Sequence, residues 1–225
     1  MHFHLPKPLH GWREFAGEVG IIVVGILIAL AGEQLVETLH WRSQVRDFRE
    51  ALRTETKFNL GTYQFRMNEN GCVRARLDEL QRWHDSWTAG HPLKLRAPIG
   101  IPTSLIVNNS AWQSRDADVM SHMGLDEKIE FGLIQTEFAN SEVHRLDERA
   151  AWLELADYDG ATELDHRDLM RLQGLITRAR LRDRRLTDNT LRFFKRAAKM
   201  GLEPELDPTW PPPDPQICRP ILPKA

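Results

Sequence analysis

Hydrophobic residues are concentrated in one uninterrupted stretch near the start of the chain. The fourteen residues 19–32 carry no charged or strongly polar side chain, and Glu18 and Glu33 bracket them. A spanning helix needs about 20 apolar residues, and neighbouring apolar positions supply the remainder. Trp12 and Trp41 lie 29 positions apart, which is roughly 43 Å along a helix, and tryptophan favours both membrane interfaces. The pattern predicts a transmembrane helix with these two tryptophans as interface anchors.

Two other interpretations compete with a span. Ala29-Leu30-Ala31 loosely fits a signal-peptidase site, so a cleaved signal peptide is one alternative. A run this short also suits the buried helix of a water-soluble domain. An interfacial amphipathic helix is disfavoured because the run is apolar on all sides. The tryptophan spacing favours the span.

One side of the predicted span carries small residues. Positions separated by four, three, four, three and four residues fall within about 40° of one line on a helical wheel. These residues, the small-residue face, are Glu18, Ile22, Gly25, Ala29, Gly32 and Val36. Small side chains let a second helix approach closely, and a carboxylate at the hydrocarbon edge requires a partner or water. The face predicts self-association or docking to another transmembrane helix. Equally, glycine and alanine are frequent in membrane helices, and Glu18 can reach the headgroups.

The span is predicted to continue outward as a stalk. Residues 33–60 contain no glycine or proline, and apolar residues keep helical spacing. We expect one helix from Trp12 to Asn68, roughly 85 Å long. A second helix is predicted over residues 72–87. Residues 88–108 hold three prolines and two glycines, which predicts a loop with a short extended piece near its end.

Three more helical patterns follow, at 109–123, 126–156 and 162–200. The predicted apolar side of the second contains Ile129, Leu133, Ile134, Phe138, Leu146 and Leu153. Asp126 is its expected N-cap, and Thr162-x-x-Asp165 resembles a capping box for the third. Residues 204–225 are rich in proline and are predicted to be non-helical, either as a strap lying along the domain or as a free tail. Their apolar residues Trp210, Ile217, Ile221 and Leu222 favour the docked strap.

Together these patterns predict an all-α protein. A single N-terminal transmembrane helix continues into a long stalk helix, followed by an antiparallel helical domain with a proline-rich C-terminal strap. The expected units are a tail at 1–11, a span at 12–41, a helical extramembrane domain at 42–203 and the strap at 204–225. The hydrophobic fraction of 41% and charged fraction of 28% are ordinary for a folded protein.

The last two long helical patterns have opposite charge. Residues 126–165 contain twelve acidic and three basic side chains, whereas residues 167–199 contain eleven basic and three acidic ones. This favours charge-complementary packing. The alternative is that Arg178, Arg182 and Arg185 contact an acidic partner or lipid headgroups. A net charge of −2 and the absence of a groove-reading motif argue against nucleic acid.

No motif predicts an active site, a metal or a cofactor. Asp157-x-Asp159-Gly160 is an incomplete calcium loop, and Glu163-x-x-His166 is half of a di-iron signature. His2 and His4 lack further convergent ligands. We therefore expect neither enzymatic activity nor a cofactor.

The two cysteines are far apart in the sequence. Cys72 and Cys218 are expected to pair in an oxidising compartment and to stay reduced in a cytoplasm. Without a CxxC spacing they give no argument for a metal site, and two unpaired thiols are the simpler interpretation.

The N-terminal region resembles a known family. Gly17-Glu18, then GILIAL at residues 25–30, then a polar helix with Trp41 is similar to an uncharacterised family of bacterial single-span membrane proteins. The resemblance covers about 40 of the 225 residues. It implies a bacterial inner-membrane location and a helical domain after the span, and it carries no catalytic residues.

Flanking charges do not decide the orientation of the span. Lys7 and Arg13 lie before it, and Arg42, Arg46 and Arg49 lie after it. The resemblance and the short N-terminal tail indicate a cytoplasmic N-terminus and a periplasmic domain.

Two functions fit these expectations. The first is a membrane-anchored structural or interaction subunit that docks to itself or to a larger membrane complex through the small-residue face. The alternative is a periplasmic sensor or ligand-binding domain that uses the 88–108 loop and the arginine-rich helix. The expected partners are membrane lipid and another transmembrane helix.

Overall fold

The computed structural model describes residues 11–104, 106–210 and 215–223. Every regular element within these ranges is a helix. The helices are α1 (Gly11–Asn68), α2 (Asn70–Thr88), α3 (Ser110–Gln113), α4 (Ala117–His122), α5 (Leu125–Ala156), α6 (His166–Lys199) and α7 (Pro215–Cys218). The all-α class predicted from the sequence is therefore confirmed for the described residues.

Helix α1 is continuous over 58 residues, which is roughly 87 Å at 1.5 Å per residue. Among the described residues it is the helix that is long and apolar enough to cross a membrane, and no part of its most apolar window is buried by them. Residues 11–40 are exposed on all sides, whereas burial begins at Trp41 and Val45. One helix thus carries two segments with different surroundings.

Three helix starts differ from the sequence predictions. The predicted helix at 109–123 is split, because the Asp116 side chain accepts hydrogen bonds from the Asp118 and Val119 backbone and starts α4 anew. The N-cap of α5 is Gly124 rather than Asp126. The capping box of α6 joins Asp165 to Asp168 rather than Thr162 to Asp165.

The predicted strap is docked, but it is not free of helix. Pro215 starts the one-turn helix α7, since proline is tolerated in the first turn where no intrahelical N–H bond is needed. Ile217, Ile221 and Leu222 are buried. Residues 211–214 and 224–225 of the strap, the tail at 1–10 and Leu105 of the predicted extended piece lie outside the described residues.

A disulfide bond joins Cys72 on α2 to Cys218 on α7. The interpretation of two unpaired thiols is therefore wrong. The two cysteines are 146 residues apart in the sequence. Their pairing could not be predicted, because it depends on how the strap packs across the domain.

Two apolar clusters form the interior. The proximal core is built from the second half of α1, α4, the start of α5 and the end of α6, with Leu52, Phe131 and Phe193 at its centre. The distal core is built from α2, the end of α5, the start of α6 and the strap, with Trp83 and Trp152 fully buried.

Helices α5 and α6 run through both cores. Arg196 near the end of α6 pairs with Glu130 near the start of α5 at 3.3 Å. Arg178, in the first half of α6, pairs with Glu154 near the end of α5 at 3.3 Å. The two helices therefore pack side by side in opposite directions.

Helix α5 exposes part of the side predicted to be buried. Ile134 and Phe138 lie in the core as expected, but Ile129, Leu133, Leu146 and Leu153 are exposed. The core positions are instead Phe131, Ile134, Gln135, Phe138, Ser141, Glu148, Ala151, Trp152 and Leu155. A second stripe at alternating spacings of four and three, the outer face of α5, is Leu125, Ile129, Gly132, Thr136, Ala139, Val143, Leu146, Ala150 and Leu153.

Candidate functional site

The small-residue face lies entirely within the exposed part of α1. A Cβ atom built on Gly25 or Gly32 would meet no described atom within 4 Å. Ile22 is 62% exposed, and Glu18 and Ala29 are also exposed. The face is therefore unobstructed by the rest of the described chain, and a second helix can approach it closely.

The domain packs on the opposite side of α1. At 100° per residue, the buried side chains of Val45, Leu52 and Tyr63 point about 160–180° away from the small-residue face. The line of that face continues through exposed Asp47, Glu50 and neighbouring positions. A helix bound to the small-residue face would therefore not meet the helical domain at the membrane surface.

The two predicted interface anchors have different surroundings. Trp12 is 79% exposed and lies 6.1 Å from the ring of Phe15. Trp41 is half-buried because its ring stacks on His122 at 4.2 Å, with an angle of 8° between the planes. Its Nε1–H donates to Glu37 at 3.4 Å. Trp41 therefore connects α1 to α4 as well as marking the predicted interface.

A cleft of about 570 Å³ opens beside Trp41. This juxtamembrane cleft is lined by Gln34, Glu37, Thr38, Trp41, Arg42, Val45, Arg49 and His122. Arg49 binds Glu127 through two hydrogen bonds of 2.5 and 2.8 Å, and this carboxylate raises the pKa of Arg49. Arg42 is exposed and forms no ion pair with a described residue. The cleft thus holds one neutralised and one available guanidinium group.

The three predicted contact arginines of α6 do not act alike. Arg178 binds Glu154, and Arg182 binds Asp147 at 3.1 Å, so both face α5. Arg185 is exposed and lines a cleft of about 370 Å³ with His144. Burial and the nearby Arg182 and Arg185 lower the pKa of His144. Charge-complementary packing therefore accounts for Arg178 and Arg182 and leaves Arg185 available to a partner.

A buried ion layer separates the proximal and distal cores. Arg66 of α1 is 5% exposed and binds Glu148 of α5 at 2.5 and 3.2 Å. Its guanidinium also donates to Asn70 at 2.7 Å and reaches Asp183 of α6 at 3.5 Å. Burial acts to lower the pKa of Arg66, but Glu148 and Asp183 raise it overall. Burial raises the pKa of Glu148 despite this pairing.

The sequence carries a signal for this layer in the position of its two carboxylates. Asp183 lies between Ala179 and Leu186 in an apolar stripe of α6, and Glu148 lies in the buried stripe of α5. A carboxylate at a core position needs a buried partner. The identity of that partner, Arg66, depends on the tertiary fold.

A second buried arginine holds the strap to α2. Arg76 is 1% exposed, and burial lowers its pKa. Its guanidinium donates to the carbonyls of Gln216 at 2.9 Å and Pro98 at 3.3 Å, and also to that of Arg219. With the Cys72–Cys218 disulfide, these bonds fix α7 beside the loop.

The 88–108 loop is anchored along its length. Its anchor points are Leu93, Ile99, Thr103 and Asn108, whose partners are Trp83, Asp159, Glu69 and Asn59 respectively. A cavity of about 610 Å³ lies between residues 92–98 and 159–162. Another of about 880 Å³ lies between α1 and residues 106–111. The loop is thus held in place and borders two concave surfaces.

No group of three or more metal-ligating side chains converges within the described ranges. His2 and His4 lie outside those ranges. The buried ionisable groups Arg66, Arg76 and Glu148 all bind other groups of the protein. The ring nitrogen Nδ1 of His144, in contrast, is buried without a hydrogen-bond partner among the described residues.

Comparisons with known protein families, with characterised proteins and with solved structures find no match to this chain. The bacterial origin and compartment suggested by the N-terminal resemblance therefore stay predictions.

Proposed function

We propose that the protein is a single-pass membrane protein whose α1 helix anchors and carries an antiparallel helical domain. In this arrangement the first half of α1 crosses the bilayer, and the second half forms the stalk on which the domain packs. The main support is the complete exposure of residues 11–40 in a helix whose later half is well buried. Apolar side chains on all sides of a helix suit lipid rather than water.

We further propose that the protein acts as a structural or interaction subunit. The small-residue face supplies the docking surface inside the membrane, to a second copy or to a helix of a larger membrane complex. Gly25 and Gly32 are free of neighbours among the described residues, so a partner backbone can approach them closely.

The outer face of α5 supports an interaction role independently. Leu125 is 68% exposed, Val143 56% and Leu146 55%, and they belong to one stripe along the helix. Extended exposed apolar surfaces commonly mark contacts with other proteins. The small-residue face and the outer face of α5 would then be two contact surfaces of one assembly.

A non-catalytic role is proposed for the helical domain. Its buried arginines and carboxylates form pairs that connect helices or hold the loop and strap, as Arg66 and Arg76 do. Catalytic groups, by contrast, need access to a substrate and a pKa suited to proton transfer.

We place the domain in the periplasm of a bacterial inner-membrane protein. The Cys72–Cys218 disulfide supports this location, since such bonds persist in oxidising compartments. Thiol alkylation of cells followed by intact-mass analysis tests it. Both cysteines should resist alkylation unless a reductant is added first, and alkylation without reductant would contradict the location.

The docking proposal is tested by adding bulk to the small-residue face. Gly25→Leu plus Ala29→Leu should abolish oligomerisation or co-purification of the full-length protein in mild detergent. Gly20→Leu plus Ala31→Leu is the matched control, since it adds the same atoms about 200–220° around the helix. Equal behaviour of the two double variants, or no change in either, would overturn docking through this face.

A further inference from the structure

The juxtamembrane cleft lies where a phospholipid headgroup would meet the protein. It opens beside Trp41, which marks the outer end of the proposed span. Its lining positions on α1, among them Thr38 and Val45, lie on the side opposite the small-residue face. A docked transmembrane helix would therefore leave the cleft open to lipid.

The walls of the cleft are formed by both α1 and the domain. His122 at the end of α4 stacks on Trp41, so the domain covers one side of the space. Leu125 follows closely in sequence and is 68% exposed. An exposed leucine beside the proposed membrane surface is favourable where it contacts the apolar part of the interface. The volume of about 570 Å³ is within the usual range for small-molecule sites.

The charges in the cleft define the ligand. Arg49 is neutralised by Glu127, whereas Arg42 forms no ion pair with a described residue. Glu37 also lines the cleft, where it accepts one hydrogen bond from Trp41. The available groups are therefore one guanidinium and one carboxylate. A phosphate matches the first, and an ammonium group matches the second.

We propose that the juxtamembrane cleft binds the headgroup of a phospholipid that carries both a phosphate and a primary ammonium, with phosphate on Arg42 and ammonium on Glu37. Gln34 and Thr38 offer further hydrogen bonds to the headgroup. A purely anionic headgroup would leave Glu37 opposed by like charge. A quaternary ammonium has no N–H to donate. This inference rests on the proposed membrane insertion of α1.

The test uses the full-length protein in nanodiscs that contain equal amounts of phosphatidylethanolamine, phosphatidylglycerol and phosphatidylcholine. Native mass spectrometry measures which lipids stay bound to the protein when it is released from the nanodisc. Phosphatidylethanolamine should be retained about tenfold over the other two, as expected for one additional charge-assisted contact. Equal retention of all three lipids would overturn the proposal.

Two variants test which residue binds the phosphate and which binds the ammonium group. Arg42→Gln should reduce retention of phosphatidylethanolamine about tenfold, because the phosphate loses its guanidinium partner. Glu37→Gln should keep phospholipid binding but remove the preference for phosphatidylethanolamine over phosphatidylglycerol. The controls are Arg46→Gln and Glu33→Gln, at exposed positions outside the cleft. Equal effects of the cleft variants and their controls would contradict the assignment.

Membrane integration is measured separately by alkaline extraction of vesicles. A chain extracted from the membrane would overturn both the anchored function and the lipid site. A chain that resists extraction but retains all lipids equally would overturn the lipid site alone. Unchanged thermal unfolding of Arg42→Gln, followed by tryptophan fluorescence, is expected because Arg42 is exposed.

Discussion

The two halves of α1 use the same backbone in opposite ways. Residues 11–40 are apolar over most of their length and are exposed on every side, whereas residues 41–68 are more polar and include ten buried residues. Several of the buried ones are polar. Asn59, for example, pairs with both backbone groups of Asn108 at 2.5 and 2.9 Å.

This difference shows that burial in a single chain does not follow hydrophobicity alone. The polar half of α1 is stabilised by partners within the same chain, which bind buried polar groups such as those of Asn59 and Arg66. The apolar half is not buried by any described residue, and in the proposed arrangement lipid or another helix surrounds it. Substitutions in the second half should therefore change folding stability, and those in the first half should change association.

The largest expected difference in unfolding free energy is between removing a charged group from the second half of α1 and removing one from the first half. Arg66→Met leaves Glu148 buried without its cation and Asp183 with Arg74 alone, which should cost about 3–5 kcal/mol of unfolding free energy. Glu18→Gln in the exposed half should change it by less than about 0.5 kcal/mol. Denaturant titration of the full-length protein in detergent, followed through the buried Trp83 and Trp152, measures both.

The matched control for Arg66 is Arg74, which contacts the same Asp183 at 3.3 Å. The Arg74 side chain is 58% exposed, so Arg74→Met should cost less than about 1 kcal/mol. Similar losses for the two methionine variants would show that burial of the ion layer does not determine its contribution.

The sequence predicted the elements whose limits are set by local residues. Helical spacing of apolar residues, with no glycine or proline over residues 33–60, predicted the continuous α1, and Gly201 correctly predicted the end of α6. The start of α6 was less accurate because Thr162, Asp165 and Asp168 all have side chains suited to capping.

Helix α5 shows what could not be predicted. It has two apolar stripes, one through Phe131 and Phe138 and another through Ile129 and Val143. Both have helical spacing, so periodicity alone does not say which one faces the core. The choice depends on α1 and α6, which are distant in the sequence.

The candidate sites also differ in whether they follow from local sequence or from the tertiary fold. The small-residue face follows from spacing within one helix and was found in the sequence. The juxtamembrane cleft requires His122 to reach Trp41, and the buried ion layer requires Arg66, Glu148 and Asp183 to meet. These contacts join residues about 80 or more positions apart, for which no short motif exists.

Gly→Ala substitutions compare the two halves of α1 again, with a smaller expected change in unfolding free energy. A Cβ atom at Gly61 would overlap the backbone carbonyl of Glu205 in the strap, whereas one at Gly25 meets nothing within 4 Å. Gly61→Ala should therefore destabilise the domain by about 1–3 kcal/mol, partly offset by better helix propensity. Gly25→Ala should leave unfolding unchanged or slightly favour the helix.

The same fluorescence titration measures the two alanine variants, and limited proteolysis reports release of the strap. Faster cleavage near Glu205 is expected for Gly61→Ala only. Cleavage at the same rate in both variants would indicate that contact with α1 does not hold the strap.

The smallest expected effect concerns pH and the buried Glu55 of α1. Its carboxylate accepts hydrogen bonds from the Ala111 backbone at 2.7 Å and the Trp112 backbone at 3.4 Å. Burial raises the pKa of Glu55, and these two backbone bonds oppose that rise. Because the folded state has the higher pKa, the contribution of Glu55 is fully present below its unfolded value of about 4.5 and is lost as pH rises through the folded value.

Glu55→Gln removes this titration but keeps one acceptor oxygen. The stability of the wild-type protein relative to Glu55→Gln should therefore decrease between pH 4.5 and 7, by less than about 1 kcal/mol. Denaturant midpoints measured for both proteins across this range test the direction. An increase in this relative stability with pH would mean that the hydrogen bonds from Ala111 and Trp112 outweigh desolvation at this site. The polar half of α1 would then stabilise the ionised carboxylate of Glu55 in its buried position.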